Sequence, residues 1–344
     1  MHGIQKIIMR LKARPDDSIS PPHFSLSMNA WLGLGAGLVA LYLGAETLVK
    51  GGAGLALRLG LTPLVVGLTV IAFGTSSPEM VVSVQASLSD SGAIAVGNVI
   101  GSNICNIALI LGLCALISPL HADLQIIRRE VPIMIGATLV ALLVLLDGYV
   151  ARWEGALLVL GLLVYTVVTV RQAKMENAGD AGASFTSELG QRRPWGLGLS
   201  ITGVLVGLGI LVLGSHLFVG GAVALAEGWG MSQMAIGLTV VAIGTSLPEL
   251  ATSLVASVKR QGDVAIGNIV GSNLFNVLGI LGVAALVRPI EAPDLAWADL
   301  TVMLVVSLGL LPVVRTGGRI NRWEGAGLLA IYVGYTLWLL RQAS

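Results

Sequence analysis

Charged side chains are scarce in this chain. Lysine, arginine, aspartate and glutamate together make up 11% of its 344 residues, whereas 55% are hydrophobic and the mean hydropathy is +0.87. A soluble enzyme of this length has a very different composition. The shortage of charge therefore favours a protein that crosses a membrane several times.

The chain also has no excess of basic charge and no cluster of cysteines. The formal net charge is +1, and no basic stripe or aromatic platform stands out, which argues against nucleic acid as a partner. Cys105 and Cys114 would lie about 13 Å apart in a helix that rises roughly 1.5 Å per residue, too far for a disulfide. We interpret them as packing residues, and no cofactor or obligate protein partner is indicated.

Apolar runs dominate what remains, and ten of them are long enough to span a bilayer, which takes roughly 17 to 25 residues. They predict transmembrane helices at 30–49, 62–86, 94–117, 130–147, 154–171, 196–216, 232–257, 264–287, 297–314 and 324–341. The polar stretch 172–194 is the long interior loop. It divides the predicted helices into two sets of five.

The two sets are copies of each other at an offset of 170 residues. "VGLTVIAFGTSSPEM" at 66–80 matches "IGLTVVAIGTSLPEL" at 236–250, and "AVGNVIGSNICNI" at 95–107 matches "AIGNIVGSNLFNV" at 265–277. "RWEGA" at 152–156 recurs unchanged at 322–326. Because each copy has an odd number of spans, the second must start on the opposite side of the membrane. Inverted repeats of this kind are the usual construction of secondary transporters.

Domain limits and orientation follow from the repeat. We expect an extension at 1–28, a first five-helix repeat at 29–173, a linker at 174–196 and a second, inverted repeat at 197–344. Thirteen of the 20 lysine and arginine residues lie on the side of the central linker, so the positive-inside rule places the linker in the cytoplasm and both termini outside. Residues 1–27 have no counterpart in the second half and lack the pattern of a secretory signal peptide. We expect this stretch to be disordered, or Met28 to be the functional start.

The paired motifs "GTSSPEM" and "GTSLPEL" place a helix breaker and a carboxylate inside apolar spans. Pro78 and Pro248 each lack an N–H and clash with the carbonyl four residues back, so each helix should break there and free oxygens near Gly74, Thr75, Gly244 and Thr245. Unpaired carbonyls in hydrocarbon are tolerated where they line a cavity or meet a ligand. Glu79 and Glu249 follow the breaks directly, and buried carboxylates in spans usually face the bundle interior. The motif pair predicts a cation site of hard oxygens that suits Ca²⁺ better than zinc, copper or Mg²⁺.

The second motif of each repeat adds neutral oxygens. Ser102 and Asn106 lie four residues apart and share one helical face, and Ser272 and Asn276 repeat this spacing. The glycines of this motif should let the helix approach a neighbour closely, namely Gly97, Gly101, Gly267 and Gly271.

Structural roles are the alternative for several of these polar residues. Interhelical hydrogen bonding explains Asn98, Asn103, Asn268 and Asn273 as well as ligation does, and Ser76 and Ser246 could cap the helices that follow them. We expect Glu46 to have an interfacial or gating role. We expect Glu154 and Glu324 to lie at helix starts, where an acidic side chain interacts favourably with the helix dipole, next to tryptophans that anchor the membrane interface.

Taken together, the motif pairs resemble the two α-repeats of the calcium/cation antiporter superfamily, in segments 66–120 and 236–290. The likeness is to its bacterial sodium/calcium exchanger-like branch and spans about residues 29–343. It implies an all-α membrane protein of ten helices in two inverted halves, in which spans two, three, seven and eight form the core and spans one and six a sliding gate. It also implies that Glu79 and Glu249 are the central calcium ligands, helped by the carbonyls of Thr75 and Thr245. By the same resemblance, further residues form the sodium positions: Ser76, Ser102, Asn106, Ser246, Ser272 and Asn276.

One departure from the family pattern concerns charge. Some prokaryotic members carry aspartate at the position of Asn276, so this chain has two carboxylates in the predicted site. Two negative charges balance one Ca²⁺, and equally two Na⁺ or two H⁺, so competition at a shared site would produce exchange.

We therefore expect a secondary antiporter of the inner membrane, and no enzyme, which exchanges Ca²⁺ for Na⁺ by alternating access at a midplane site. A Ca²⁺/H⁺ antiporter that uses the same residues is the nearest alternative. A cation channel is disfavoured because broken helices in inverted repeats suit a carrier. An intramembrane enzyme is disfavoured because the motif serines lack a convincing histidine or lysine partner, and because Glu79 and Glu249 lack an Asp-based protease motif.

Overall fold

The computed structural model describes residues 23–89, 91–177, 195–229, 242–292 and 297–342. In the first half, helices α1 to α6 are His23–Leu59 (α1), Pro63–Thr75 (α2), Ser77–Leu88 (α3), Gly92–Ile117 (α4), Ile126–Glu130 continued by Val131–Val144 (α5) and Arg152–Asn177 (α6). In the second half, helices α7 to α12 are Leu197–Gly228 (α7), Ala242–Thr245 (α8), Leu247–Val258 (α9), Gly262–Val287 (α10), Trp297–Arg315 (α11) and Arg322–Gln342 (α12).

Six helices in the described part of the chain are long and apolar enough to cross a membrane, and α2 with α3 forms a seventh, bent span. The predicted spans 130–147 and 324–341 coincide with α5 and α12. The predicted span 232–257 contains α8 and α9, and its first residues fall in the undescribed stretch 230–241. Of the predicted extension at 1–28, residues 1–22 lie outside the described part of the chain. The fold is an all-α membrane protein.

The first helix is longer than its apolar run predicted, because it ends at a backbone signal and not at the first charge. α1 continues past Lys50 to Leu59, where Gly60 takes a left-handed conformation with φ of 65° and Leu61 N–H bonds to the Ala56 carbonyl. This arrangement is a common C-terminal cap. Thr62 then caps the start of α2, where Pro63 suits the first helical position.

Helices α1 and α7 are antiparallel and lie very close to each other along a line of glycines. The glycines recur every seven residues in both helices, at Gly37, Gly44, Gly51, Gly207, Gly214 and Gly221. A Cβ on Gly44 would stand 2.8 Å from Leu211 N, and one on Gly207 would stand 2.6 Å from Leu48 N. Any larger side chain would therefore collide with backbone atoms, which ties the two helices into one unit.

Four two-residue strands join the two halves outside the helices. They are Leu120–His121 (β1), Tyr149–Val150 (β2), Ile290–Glu291 (β3) and Arg319–Ile320 (β4), and β1 pairs with β4 while β2 pairs with β3. The arginines of the two "RWEGA" copies add a contact across the repeats, because Arg152 donates to Val287 O (3.4 Å) and Arg322 to Ile117 O (3.5 Å). Each strand pair joins segments that five alternating spans would place on the same side of the membrane, so the pairing agrees with inverted repeats.

The start of each "RWEGA" helix is as the sequence predicted. Glu154 Oε2 accepts from Ala151 N–H (2.8 Å), and Glu324 Oε2 accepts from Asn321 N–H (2.8 Å). Asn321 and Glu324 form a capping box, since Asn321 Oδ1 also accepts from Glu324 N–H (3.0 Å), whereas Ala151 has no side-chain acceptor and Glu154 supplies only half of this arrangement. The adjoining Trp153 and Trp323 are exposed.

The core consists of α4 and α10, which are mostly buried, whereas α1, α6, α7 and α11 expose most of their apolar surface. The glycines of α10 approach α2 as predicted, since a Cβ on Gly267 would stand 2.8 Å from Leu64 O and one on Gly271 would stand 2.5 Å from Leu68 O. The equivalent neighbour of Gly97 and Gly101 falls within 230–241, outside the described residues. The two core helices carry their polar side chains into the centre of the molecule.

Candidate cation site

Each half contains a helix that breaks at a serine before the proline. α2 and α3 meet at Ser76 with a bend of 47°, and the backbone there has φ −83° and ψ 7°. Ser246 between α8 and α9 has nearly the same values, φ −88° and ψ 9°. Pro78 and Pro248 occupy the first turn of the helix that follows, where a missing N–H costs nothing. The predicted breaks are therefore present in both repeats.

Glu79 and Glu249 are the buried carboxylates at these breaks, each only 1% exposed. Ser246 Oγ donates to Glu79 Oε1 (3.1 Å), and Ser76 Oγ donates to Glu249 Oε1 (2.7 Å). Each serine thus holds the carboxylate of the opposite repeat and makes no capping bond to its own helix. The second oxygen of each carboxylate, Oε2, is buried without a hydrogen-bond partner.

Asn106 and Asn276 form a second layer of crossed contacts between α4 and α10. Asn106 Nδ2 donates to Asn273 Oδ1 (3.1 Å), and Asn276 Nδ2 donates to Asn103 Oδ1 (3.0 Å). The side-chain oxygens of Asn106 and Asn276 are buried without partners. Asn103 and Asn273 are therefore interhelical bonding residues, which orient the other two amides so that their oxygens stay free.

The local backbone around these amides is π-helical. Asn106 lies at the start of the π-helical stretch Cys105–Leu111, and Asn276 at the start of Phe275–Ile280. π-helical turns inside α-helices occur frequently at functional sites. Nothing in the apolar pattern of the sequence predicted them.

The remaining predicted site residues differ in burial and in hydrogen-bond partners. Ser272 is fully buried and its Oγ has no partner, while Ser102 is 5% exposed. Thr75 is fully buried, and its hydroxyl donates to Asn268 Oδ1 (3.2 Å). Thr245 is half-buried.

One of the carbonyls that the prolines free already has a protein partner. Ser215 Oγ of α7 donates to Gly244 O at 2.7 Å. The freed oxygen of Gly244 therefore already accepts a hydrogen bond from a side chain, which the sequence did not predict.

Two serines that the sequence analysis did not single out support the site. Asn98 Nδ2 donates to Ser83 Oγ (2.9 Å) and to the Glu79 carbonyl (3.1 Å), and Asn268 Nδ2 donates to Ser253 Oγ (3.0 Å). Ser83 and Ser253 follow the glutamates by four residues in both repeats, a spacing that places them on the same helical face. Because this spacing occurs in both repeats, the sequence alone could have identified the two serines.

The site combines negative charge with acceptor oxygens that lack donors. None of the ion pairs in the described residues includes Glu79 or Glu249, and no described group of three or more His, Cys, Asp or Glu side chains could hold a metal ion. Unpartnered buried acceptors are costly unless a ligand satisfies them. Two carboxylates surrounded by neutral amide and hydroxyl oxygens can do so by binding a hard cation.

Access to the site is unequal on its two sides. α1 lies along α9, and Lys259 at the end of α9 contacts Glu46 of α1 (3.0 Å), which also pairs with Lys50 (2.8 Å). The corresponding helices α7 and α3 are only in sparse contact over their described residues. Gln85 of α3 is exposed, whereas its repeat counterpart Val255 of α9 is only 8% exposed. The molecule is closed where α9 ends and more open where α3 ends.

A candidate cation site between broken helices of two inverted repeats defines a membrane carrier. Comparisons with known proteins specify the class further. The family model described as sodium/calcium exchanger protein matches residues 29–171 and again 199–341. The chain belongs to the sodium/calcium exchanger protein family, a family of membrane cation antiporters.

Relatives of known name agree with this assignment. The putative antiporter CaxA of Alkalimonas amylolytica is 41% identical over 306 residues, which cover 87% of this chain and 95% of that protein. The sodium/calcium exchanger MaX1 of Methanosarcina acetivorans is 31% identical and the match covers 87% and 95% of the two chains. The inner membrane protein YrbG of Escherichia coli is 40% identical, with 88% and 93% covered.

A solved structure shares the fold. The sodium-calcium exchanger NCX_Mj, soaked without Na⁺ and Ca²⁺, superposes with a TM-score of 0.78 at 31% identity and covers 91% of this chain and 99% of its own. The same exchanger soaked with 10 mM Na⁺ and 10 mM Sr²⁺ gives a TM-score of 0.76 at 32% identity, with 89% and 97% covered.

Proposed function

We propose that this protein exchanges Ca²⁺ for Na⁺ across the inner membrane by alternating access at the site between Glu79 and Glu249. The observation that carries the proposal is the set of buried acceptor oxygens without partners: Glu79 Oε2, Glu249 Oε2, Asn106 Oδ1 and Asn276 Oδ1. Two of them belong to carboxylates, so one divalent cation would neutralise the site. Sodium/calcium exchange by NCX_Mj and MaX1, as their names state, supports the same cargo.

Sodium is favoured over protons as the counter-ion by the neutral oxygens. An amide oxygen binds Na⁺ but does not accept a proton near neutral pH, and the site offers Asn106 Oδ1, Asn276 Oδ1 and Ser272 Oγ without partners. Protons that replace Ca²⁺ would need only the two carboxylates. The extra oxygens suit monovalent metal ions that occupy positions around the central one.

The proposed cycle follows from charge. Bound Ca²⁺, or the counter-ions that replace it, neutralise Glu79 and Glu249 and allow the site to be sealed. An empty site keeps two buried negative charges, and the desolvation cost of enclosing them opposes closure. This penalty suppresses movement of the empty carrier and couples the two fluxes.

Orientation completes the proposal. The central linker at 174–196 lies in the cytoplasm and both termini lie outside, on the basis of the lysine and arginine distribution. The side where α9 ends, which is closed in this structure, would then be cytoplasmic.

Mutation of the carboxylates tests the site. We expect Glu79→Gln and Glu249→Gln each to abolish ⁴⁵Ca²⁺ uptake into proteoliposomes, because a neutral amide cannot balance the cation's charge. Glu154→Gln is the matched control, since Glu154 caps α6 through an oxygen that glutamine also offers, and its uptake should stay near wild type. Near-normal exchange in both site variants would rule out the assignment.

Imposed gradients test the counter-ion in the same vesicles. We expect an outward Na⁺ gradient to drive ⁴⁵Ca²⁺ uptake, and a pH gradient without Na⁺ to drive none above background. The reverse result would replace the proposal with Ca²⁺/H⁺ exchange at the same site.

A further inference from the structure

Helix α7 contacts both helix breaks in this conformation. A Cβ on Gly74 would stand 2.6 Å from Leu208 Cδ1, and one on Gly244 would stand 2.5 Å from Val219 Cγ2. Leu38 of α1, the repeat counterpart of Leu208, is instead 61% exposed. α7 therefore covers both breaks, whereas a symmetric arrangement would have α1 cover one break and α7 the other.

Ser215 joins α7 to the second break by a hydrogen bond. Its Oγ donates to Gly244 O at 2.7 Å, and this is the carbonyl that Pro248 deprives of its helical donor. Gly244 is buried, so the carbonyl would carry a desolvation penalty without the serine. The bond therefore contributes to holding α7 in its present position.

The first repeat lacks this hydroxyl. The residue 170 positions before Ser215 is Ala45 of α1, and the equivalent carbonyl is that of Gly74. In a carrier made of inverted repeats, the second conformation arises when the two repeats exchange their conformations. α1 would then cover both breaks, and Ala45 would meet Gly74 O with a methyl group that donates nothing.

We propose that Ser215 is a positioning residue that makes the two conformations of the carrier unequal in free energy. It stabilises the conformation seen here, closed where α9 ends, over the exchanged conformation, closed where α3 ends. This inference rests on the proposed alternating-access function, and it adds the residue that sets the resting bias of the cycle.

The test measures the two conformations by cysteine labelling and needs no ion flux. Gln85→Cys reports the exposed face of α3, and Val255→Cys reports the equivalent face of α9, which is covered here. Both are introduced into the full chain in lipid nanodiscs, where a maleimide reaches either face, and the native Cys105 and Cys114 are buried. We expect Ser215→Ala to speed labelling at Val255→Cys and slow it at Gln85→Cys, changing the ratio of the two rates about two- to tenfold.

Controls separate positioning from general destabilisation. Ser215→Thr keeps the hydroxyl and should restore the ratio, while Ser200→Ala removes a buried serine of α7 whose hydroxyl, among the described residues, bonds to Trp195 O and should leave the ratio unchanged. An unchanged ratio in folded Ser215→Ala would overturn the proposal. If that variant does not fold, Ala45→Ser decides: it should shift the ratio in the same direction by adding the missing donor, and no shift would overturn the proposal. Because no gradient is imposed, this failure is distinguishable from a failure of Ca²⁺/Na⁺ exchange.

Discussion

At the residue scale, the candidate site depends on side chains that serve the opposite repeat. Ser76 lies at the first break but bonds to Glu249, while Ser246 lies at the second break and bonds to Glu79. The bond to one carboxylate oxygen fixes the direction of the other. Neither half can therefore orient its own carboxylate alone, which explains why the motif must occur twice.

Removal of the Ser76 hydroxyl should weaken calcium binding. A hydrogen bond to a charged group contributes about 1.5–3 kcal/mol, so Ser76→Ala should raise the calcium concentration for half-maximal exchange about tenfold or more. Ser77→Ala is the neighbouring control, because Ser77 Oγ bonds to Phe73 O (2.9 Å) across the break of its own repeat. Concentration dependence of ⁴⁵Ca²⁺ uptake measures both variants, and equal effects would contradict a specific role for Ser76.

At the scale of elements, the glycine line between α1 and α7 turns two long helices into one unit. α1 lies along α9 and α7 covers both helix breaks, so a unit that moves as a whole can uncover one side while it covers the other. The glycines recur with a period of seven residues, which keeps them on one face of each helix.

Filling one of these positions should separate the pair. Gly207→Leu would place a Cβ 2.6 Å from Leu48 N and 2.9 Å from Gly44 O, and overpacking of this kind costs about 1–3 kcal/mol. We expect a lower thermal unfolding midpoint in detergent and loss of exchange. For Gly209→Leu on the same helix, no described atom outside that helix's own backbone lies within 4 Å of the new Cβ, so its midpoint should stay near wild type; a similar drop there would argue against the glycine line.

At the scale of the whole molecule, the sequence predicted the architecture because the repeat is visible in it. The 170-residue offset and the length of the apolar runs required five spans per half, and the fold agrees. The helix ends were less predictable: the apolar run of α1 stops before Lys50, whereas the helix continues to Leu59 and is ended by the left-handed backbone of Gly60. Residues such as Ser215 could not be found from the sequence, because their role depends on which carbonyl lies opposite them.

The inverted relationship of the halves makes a prediction about sides. His121 of β1 and Glu291 of β3 are repeat counterparts, both exposed, and they belong to different strand pairs. In inverted repeats such counterparts lie on opposite sides of the membrane. We expect His121→Cys to react with a membrane-impermeant maleimide only from the cytoplasmic face of vesicles, and Glu291→Cys only from the outer face.

The strand pairing supplies the internal check. Arg319 pairs with His121, and Tyr149 pairs with Glu291. Arg319→Cys should therefore be labelled from the same face as His121→Cys, and Tyr149→Cys from the same face as Glu291→Cys. Labelling of His121→Cys and Glu291→Cys from one face would contradict the inverted arrangement, whereas a consistent swap of both pairs would leave it intact and reverse only the orientation of the protein. The measurement thus separates the internal symmetry of the carrier, which follows from five spans in each half, from its direction in the membrane, which follows from the distribution of basic residues.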